Sequence, residues 1–119
     1  MSEMEGIKFL GTHLIIEAWG CSNLGNESII KEMMIESVKE AGATLLSIHL
    51  HEFPGGGITG IAILAESHMS YHDWPEYGAA MIDIYCCGEA EPSKALPVIQ
   101  KYLKTNNINT TEIKRGVIQ

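Results

Sequence analysis

Residues 10–19 (LGTHLIIEAW) mix aliphatic, β-branched and aromatic side chains without proline, and Gly20 and Gly25 bracket a short loop after them, which predicts a first strand. From 27 to 41 the period changes. Ile30, Met33, Met34, Val38 and Ala41 recur at helical spacing, with Lys31, Glu32, Glu36, Lys39 and Glu40 on the other side. Asn26 is placed to cap this helix and Gly42 to end it. Residues 44–53 alternate: Leu46, Ile48 and Leu50 point to a core, while Ser47, His49, His51 and Phe53 point away. The run 54–57 (PGGG) is a turn, and 58–65 (ITGIAILA) form the second strand of an antiparallel hairpin. Residues 66–78 (ESHMSYHDWPEYG) break every periodic pattern and are predicted to be a loop. Alternation returns over 80–87, with Ile82, Ile84 and Cys86 on one face and Met81, Asp83, Tyr85 and Cys87 on the other. Residues 93–104 are helical in pattern, with Pro97 confining the regular helix to a start near it, and a short strand is expected over 109–114.

The order β-α-β-β-β-α-β predicts an α+β two-layer sandwich, an antiparallel sheet with two helices on one face, as a single domain spanning 1–119. Two helices leave the second sheet face uncovered. On it fall His49, His51, Phe53, Asp83, Tyr85 and Cys87, too apolar for bare solvent and too polar for a dry core, so a subunit interface or ligand site is expected there. Composition narrows the ligand. Eight Lys+Arg against fifteen Asp+Glu give a net charge of −7, which argues against nucleic acid or an anionic membrane surface as partner. The longest apolar stretch, around 61–65, is far short of the roughly 18 residues of a membrane span, and the acidic start lacks a secretory signal, so a cytoplasmic location is expected. Cys21, Cys86 and Cys87 are odd in number and contain no Cys-x-x-Cys pair. His49-x-His51 with His13, His68 or Glu17 is a conceivable zinc set, but alternating histidines are more often polar strand residues, and no metal is expected.

The predicted loop at 66–78 concentrates acids, hydroxyls, imidazoles and aromatics, and thirteen non-periodic residues are long for a connection. Glu66-Ser67-His68, then His72-x-Trp74-Pro75-Glu76-Tyr77-Gly78, then Asp83 and Cys87-Gly88-Glu89 resemble the prokaryotic S-adenosylmethionine decarboxylase proenzymes. The match extends to Leu10-Gly11-x-His13, Glu17, Gly42-Ala43-Thr44, Phe53, Thr59-Gly60 and Lys114-Arg115-Gly116, almost the whole chain.

The resemblance implies an enzyme that makes its own cofactor. The Glu66–Ser67 bond is cut to leave a β chain 1–66 and an α chain 67–119 that begins with a pyruvoyl group. Ser67 Oγ must attack the Glu66 carbonyl to turn an amide into an ester, which then undergoes β-elimination. His72 matches the histidine that removes the Ser67 Cα proton, and Thr59 the hydroxyl residue that assists. Strand parity over 59–67 puts Thr59 and Ser67 on one side of a continuous strand, which would bring that hydroxyl near the bond. In such enzymes the ketone at residue 67 takes the substrate amine as a Schiff base and accepts the electrons released with carbon dioxide. Cys87 matches the proton donor to the product, Phe53 an aromatic that stacks on adenine, and Glu76 the acid that binds the ribose hydroxyls. Sites form between protomers in this family, so a homodimer joined through the sheet face or edge is implied, with the product serving spermidine synthesis.

Two positions depart from the family pattern. Tyr71-His72-Asp73-Trp74 stands where Ile-His-Thr-Trp is usual, and Tyr85-Cys86-Cys87 where Phe-Thr-Cys is usual. An inward Asp73 would pair with a cationic substrate head, which makes a same-fold arginine or ornithine decarboxylase the nearest rival. A non-catalytic homologue that never cleaves is the rival from another class, opposed by the joint presence of Thr59, Ser67, His72 and Cys87.

Overall fold

The computed structural model describes residues 2–4 and 7–118, and side-chain surroundings from Lys8 onward. The elements are β1 (Ser2–Met4), β2 (Ile7–Trp19), α1 (Glu27–Glu40), β3 (Leu45–Glu52), β4 (Ile58–Leu64), β5 (Ser67–Trp74), β6 (Ala79–Cys87), α2 (Leu96–Leu103) and β7 (Ile108–Ile118), with 3-10 turns at Pro75–Tyr77 and Pro92–Ala95. All strand pairs are antiparallel, in the order β3-β4-β5-β6-β2-β7, and β1 pairs with residues 7–9 of β2. Tight turns make β3 to β6 a meander. The long connections that antiparallel neighbours do not need are the two helices: α1 carries the chain from β2 to the far edge, and α2 carries it over β2 to β7.

Both helices lie on one face. Ile30, Met33, Met34 and Val38 of α1 and Val98, Ile99 and Leu103 of α2 bury against Leu14, Ile16, Ala62, Leu64, Met69, Ile82 and Ile84. Each large side chain so buried contributes roughly 1.5–3 kcal/mol. Gly60 permits the approach of α1, because a Cβ there would stand 3.0 Å from Met34 Sδ. Asn26 caps α1 as expected, its side chain accepting from Ile29 N–H, and Pro97 sits in the first turn of α2.

Two expectations are corrected. Residues 67–74 are a strand in the middle of the sheet, not a loop. Met69 and Tyr71 are buried and alternate with His68, Ser70 and His72, but the next inward residue is Asp73, and that buried carboxylate hides the period. Leu46 is not in the core: it is 63% exposed, because the pairing of β3 with β4 jumps from Leu45–Leu64 to Ser47–Ile63 and leaves Leu46 in a bulge. The other sheet face is uncovered in the single chain. Trp19, Ile61, Ile63, Trp74, Ile113 and Val117 lie on it with exposures of 38–54%. Among the described residues no helix is long and apolar enough to cross a membrane.

Candidate active site

The turn between β4 and β5 is Ala65-Glu66, and it is pinned by Thr44 on one side and Cys87 on the other. Ala65 N–H donates to the Thr44 carbonyl at 2.9 Å, and Thr44 donates from its backbone N–H (2.8 Å) and its hydroxyl (3.3 Å) to the Glu66 carboxylate. The Glu66 carbonyl oxygen accepts the backbone N–H of Cys87 at 3.1 Å. Ser67 then opens β5, opposite Leu64 on one side and Cys86 on the other. Its Oγ lies 3.1 Å from His68 Nδ1. The Cys87 thiol is free and exposed beside this turn, while Cys86 points to the core, as the alternation of β6 predicts.

Next along the uncovered face is a polar cluster built across three strands. The Asp83 carboxylate accepts His13 Nε2–H at 2.7 Å and the Ser70 hydroxyl, and His68 Nε2 stands 3.8 Å from it. Tyr85 packs against both imidazoles, and the Arg115 guanidinium lies 4.7 Å over the Tyr85 ring. Gly11 makes room for Tyr85, since a Cβ there would come within 2.9 Å of its ring.

The remaining predicted residues assemble at the far end of the same hairpin. Thr59 and His72 are paired across β4 and β5, with Thr59 Oγ1 3.0 Å from His72 Nδ1. They line a cleft of about 300 Å³ with residues 53–55 and 57–58, Asp73, Trp74 and Glu76. The His72 and Trp74 rings are 6.2 Å apart at 32°. Thr59 is therefore not near the Glu66–Ser67 bond within one chain. The turn at 65–66 reverses the strand, and Thr59 pairs with His72, five positions from Ser67. At about 3.3 Å per residue that is roughly 16 Å.

Asp73 borders the cleft, but its carboxylate is committed elsewhere. It is 5% exposed on the helix side, and its carboxylate accepts Ile58 N–H (2.8 Å), Gly25 N–H (2.8 Å) and the Tyr71 hydroxyl (2.6 Å). Its oxygens hold the turn before Thr59 and the loop before α1. Burial, then the hydrogen bond to Asp73, pushes the Tyr71 hydroxyl well above its ordinary range. Burial, then the negative charge of Glu66, pushes the Cys86 thiol up to about 11. Among the described residues no three His, Cys, Asp or Glu side chains are grouped to hold a metal ion.

Sequence reasoning missed the Thr44 pins, the contact of His68 with Ser67, and Asp83 as the hub joining His13, Ser70 and His68. Strand parity had placed Asp83 on the uncovered face, but not what would meet it there. The description of the family model that matches residues 12–116 is S-adenosylmethionine decarboxylase. The S-adenosylmethionine decarboxylase proenzyme of Methanococcus maripaludis strain C7 is 46% identical over 116 residues, 95% of each chain. That of Caldicellulosiruptor saccharolyticus is 39% identical over 113 residues, 92% of this chain and 91% of the relative. The crystal structure of the adenosylmethionine decarboxylase of Aquifex aeolicus superposes with a TM-score of 0.86 at 33% identity, covering 94% of this chain and 95% of that one. With the motif residues gathered at the two ends of the β4–β5 hairpin and the match running through nearly the whole length, the chain belongs to the S-adenosylmethionine decarboxylase family.

Proposed function

We propose that the protein is a self-processing, pyruvoyl-dependent S-adenosylmethionine decarboxylase that cuts itself between Glu66 and Ser67. The observation that carries this is the setting of that peptide. Its carbonyl oxygen is held by Cys87 N–H, its acid side chain is fixed by Thr44, and the Ser67 hydroxyl lies beside it. A backbone N–H aimed at a carbonyl oxygen stabilises the charge that develops there when Ser67 Oγ attacks. The residues suit a pyruvoyl group at position 67: the serine supplies its atoms, and Cys87, whose thiol is free and exposed, is joined to the same peptide through its backbone N–H. Such a group supplies a ketone that binds the substrate amine and takes up electrons as carbon dioxide leaves.

The chain's own residues do the rest. Cys87 returns a proton to the product carbon. Phe53 offers a flat face to the adenine ring, Glu76 accepts the ribose hydroxyls with its two oxygens, and Thr59 and His72 act on Ser67 during maturation. Since Thr59 and His72 lie roughly 16 Å along the strand from Ser67 and share their cleft with Phe53 and Glu76, these four serve the Ser67 of a second copy. A two-fold axis does this reciprocally, because each cleavage end then meets the partner's cleft end and two equal sites form. The uncovered sheet face, with its six large exposed apolar side chains, is the surface that such a homodimer buries. The reading includes a cytoplasmic role in which the decarboxylated product is the aminopropyl donor for spermidine synthesis.

Arginine or ornithine loses the feature that recommended it, because the buried Asp73 carboxylate already accepts three protein donors. Intact-mass spectrometry and carbon dioxide release from S-adenosylmethionine, arginine and ornithine test the proposal together. Two fragments with a blocked α-chain start and release from S-adenosylmethionine are expected. An uncut chain that is nevertheless active, or release from the other two alone, refutes it.

A further inference from the structure

We infer that His68 is the base that starts the maturation, taking the proton from Ser67 Oγ, and that Asp83 positions it. His68 Nδ1 is 3.1 Å from that oxygen. On the far side of the same ring, Nε2 stands 3.8 Å from the Asp83 carboxylate. A carboxylate only accepts, so it favours the tautomer with the proton on Nε2 and leaves the Nδ1 lone pair directed at the serine. Asp83 is itself held in place by His13 and Ser70, and its charge stabilises the imidazolium that forms. Serine, imidazole and carboxylate thus stand in the order that activates a hydroxyl nucleophile, here aimed at the chain's own backbone.

The step balances as follows. His68 Nδ1 takes the hydroxyl proton as Oγ bonds to the Glu66 carbonyl carbon, and Cys87 N–H holds the carbonyl oxygen as it gains charge. The bond from that carbon to Ser67 N then breaks, and the nitrogen leaves with the proton returned from His68. The product is an ester between Glu66 and Ser67 with a free amine on residue 67. His72 acts only afterwards, on the Cα proton. This step is part of the self-processing proposed above and requires it.

The test isolates ester formation. In a His72→Ala chain the ester is the end point, and hydroxylamine cuts the chain at 66–67 wherever it has formed. Adding His68→Ala, or the similarly sized His68→Asn, should slow the appearance of that cut by about 100-fold or more, the range for loss of a general base. A His68→Ala chain carrying Ser67→Cys reports on folding, because a thiol ionises without help near neutral pH and should again give a hydroxylamine-sensitive bond. For Asp83, ¹⁵N NMR of the uncleaved Ser67→Ala chain should show His68 protonated on Nε2, and Asp83→Ala should mix the tautomers. Cleavage of the His68 variants at the rate of His72→Ala alone overturns the inference and leaves self-processing standing. A His68 proton on Nδ1 in the presence of Asp83 overturns it as well. A wild-type chain that never cuts overturns both.

Discussion

Asp73→Asn removes one charge and leaves the side-chain shape unchanged, so its cost can be worked out donor by donor. Asp73 Oδ1 accepts Ile58 N–H, and Oδ2 accepts Gly25 N–H and the Tyr71 hydroxyl. An asparagine has one acceptor oxygen. If its NH₂ replaces Oδ1, it opposes Ile58 N–H; if it replaces Oδ2, it opposes Gly25 N–H, while the Tyr71 hydroxyl can rotate to accept. Either way one buried backbone donor is stranded, at a cost of about 1–3 kcal/mol, and the remaining bonds lose their charge assistance. A loss near 2 kcal/mol should lower the urea midpoint by roughly 1 M. The measurement uses Ser67→Ala chains at one protein concentration, so that neither cleavage nor mass action enters. Asp73→Ala strands all three donors and should cost roughly 4 kcal/mol. Neither variant should gain or lose activity on arginine when made in the processed enzyme. An Asp73→Asn midpoint equal to that of its parent would refute the tether, and an arginine activity abolished by the change would return Asp73 to the substrate site.

Cys87→Ala should still cut itself, since the donor to the Glu66 carbonyl is the backbone N–H, but should lose most carbon dioxide release; normal turnover would demote the thiol to a bystander. Co-expressing Ser67→Ala with His72→Ala chains should cleave the His72→Ala chain, because each mixed dimer holds one complete site; no cleavage in a demonstrated heterodimer would count against the shared site. Stability should fall as pH rises from about 9 to about 11. Over that range the Cys86 thiol ionises in the unfolded chain and stays neutral in the folded one, so its contribution, whole below pH 9, is lost through the folded value. The steepest loss is about 1.4 kcal/mol per pH unit. Urea midpoints at pH 8 and 10.5 should therefore lie closer together in Cys86→Ala, with Cys21 and Tyr71, both raised by burial, leaving a residual slope of the same sign, and identical slopes in the two proteins would rule Cys86 out.

Where side chains obey a binary pattern, the elements were legible. Helix α1 announces itself by Ile30, Met33, Met34 and Val38 with Asn26 before them, and β6 by Ile82, Ile84 and Cys86, all of them buried. Strand β5 was hidden because Asp73 occupies a core position that a period count scores as a break. It is tolerated there because donors from three separate segments converge on it. The bulge at Leu46 was equally invisible, since register belongs to the pair of strands and not to either one alone.

The motif residues could be named from the order of letters along the chain, because nucleophile, imidazole, thiol and acid are chemistries that a sequence spells out. The face each would take follows from the two-residue period of a strand. What the sequence did not decide is distance across the sheet. The reversal at 65–66 sends Thr59 and His72 to one end and Ser67 to the other, and it sets Asp83 between His13 and His68, residues 70 and 15 positions away from it. Contacts of that kind arise only when hydrogen-bond ladders close between strands distant in the chain, and so the division of the site into two ends was a decision of the tertiary structure.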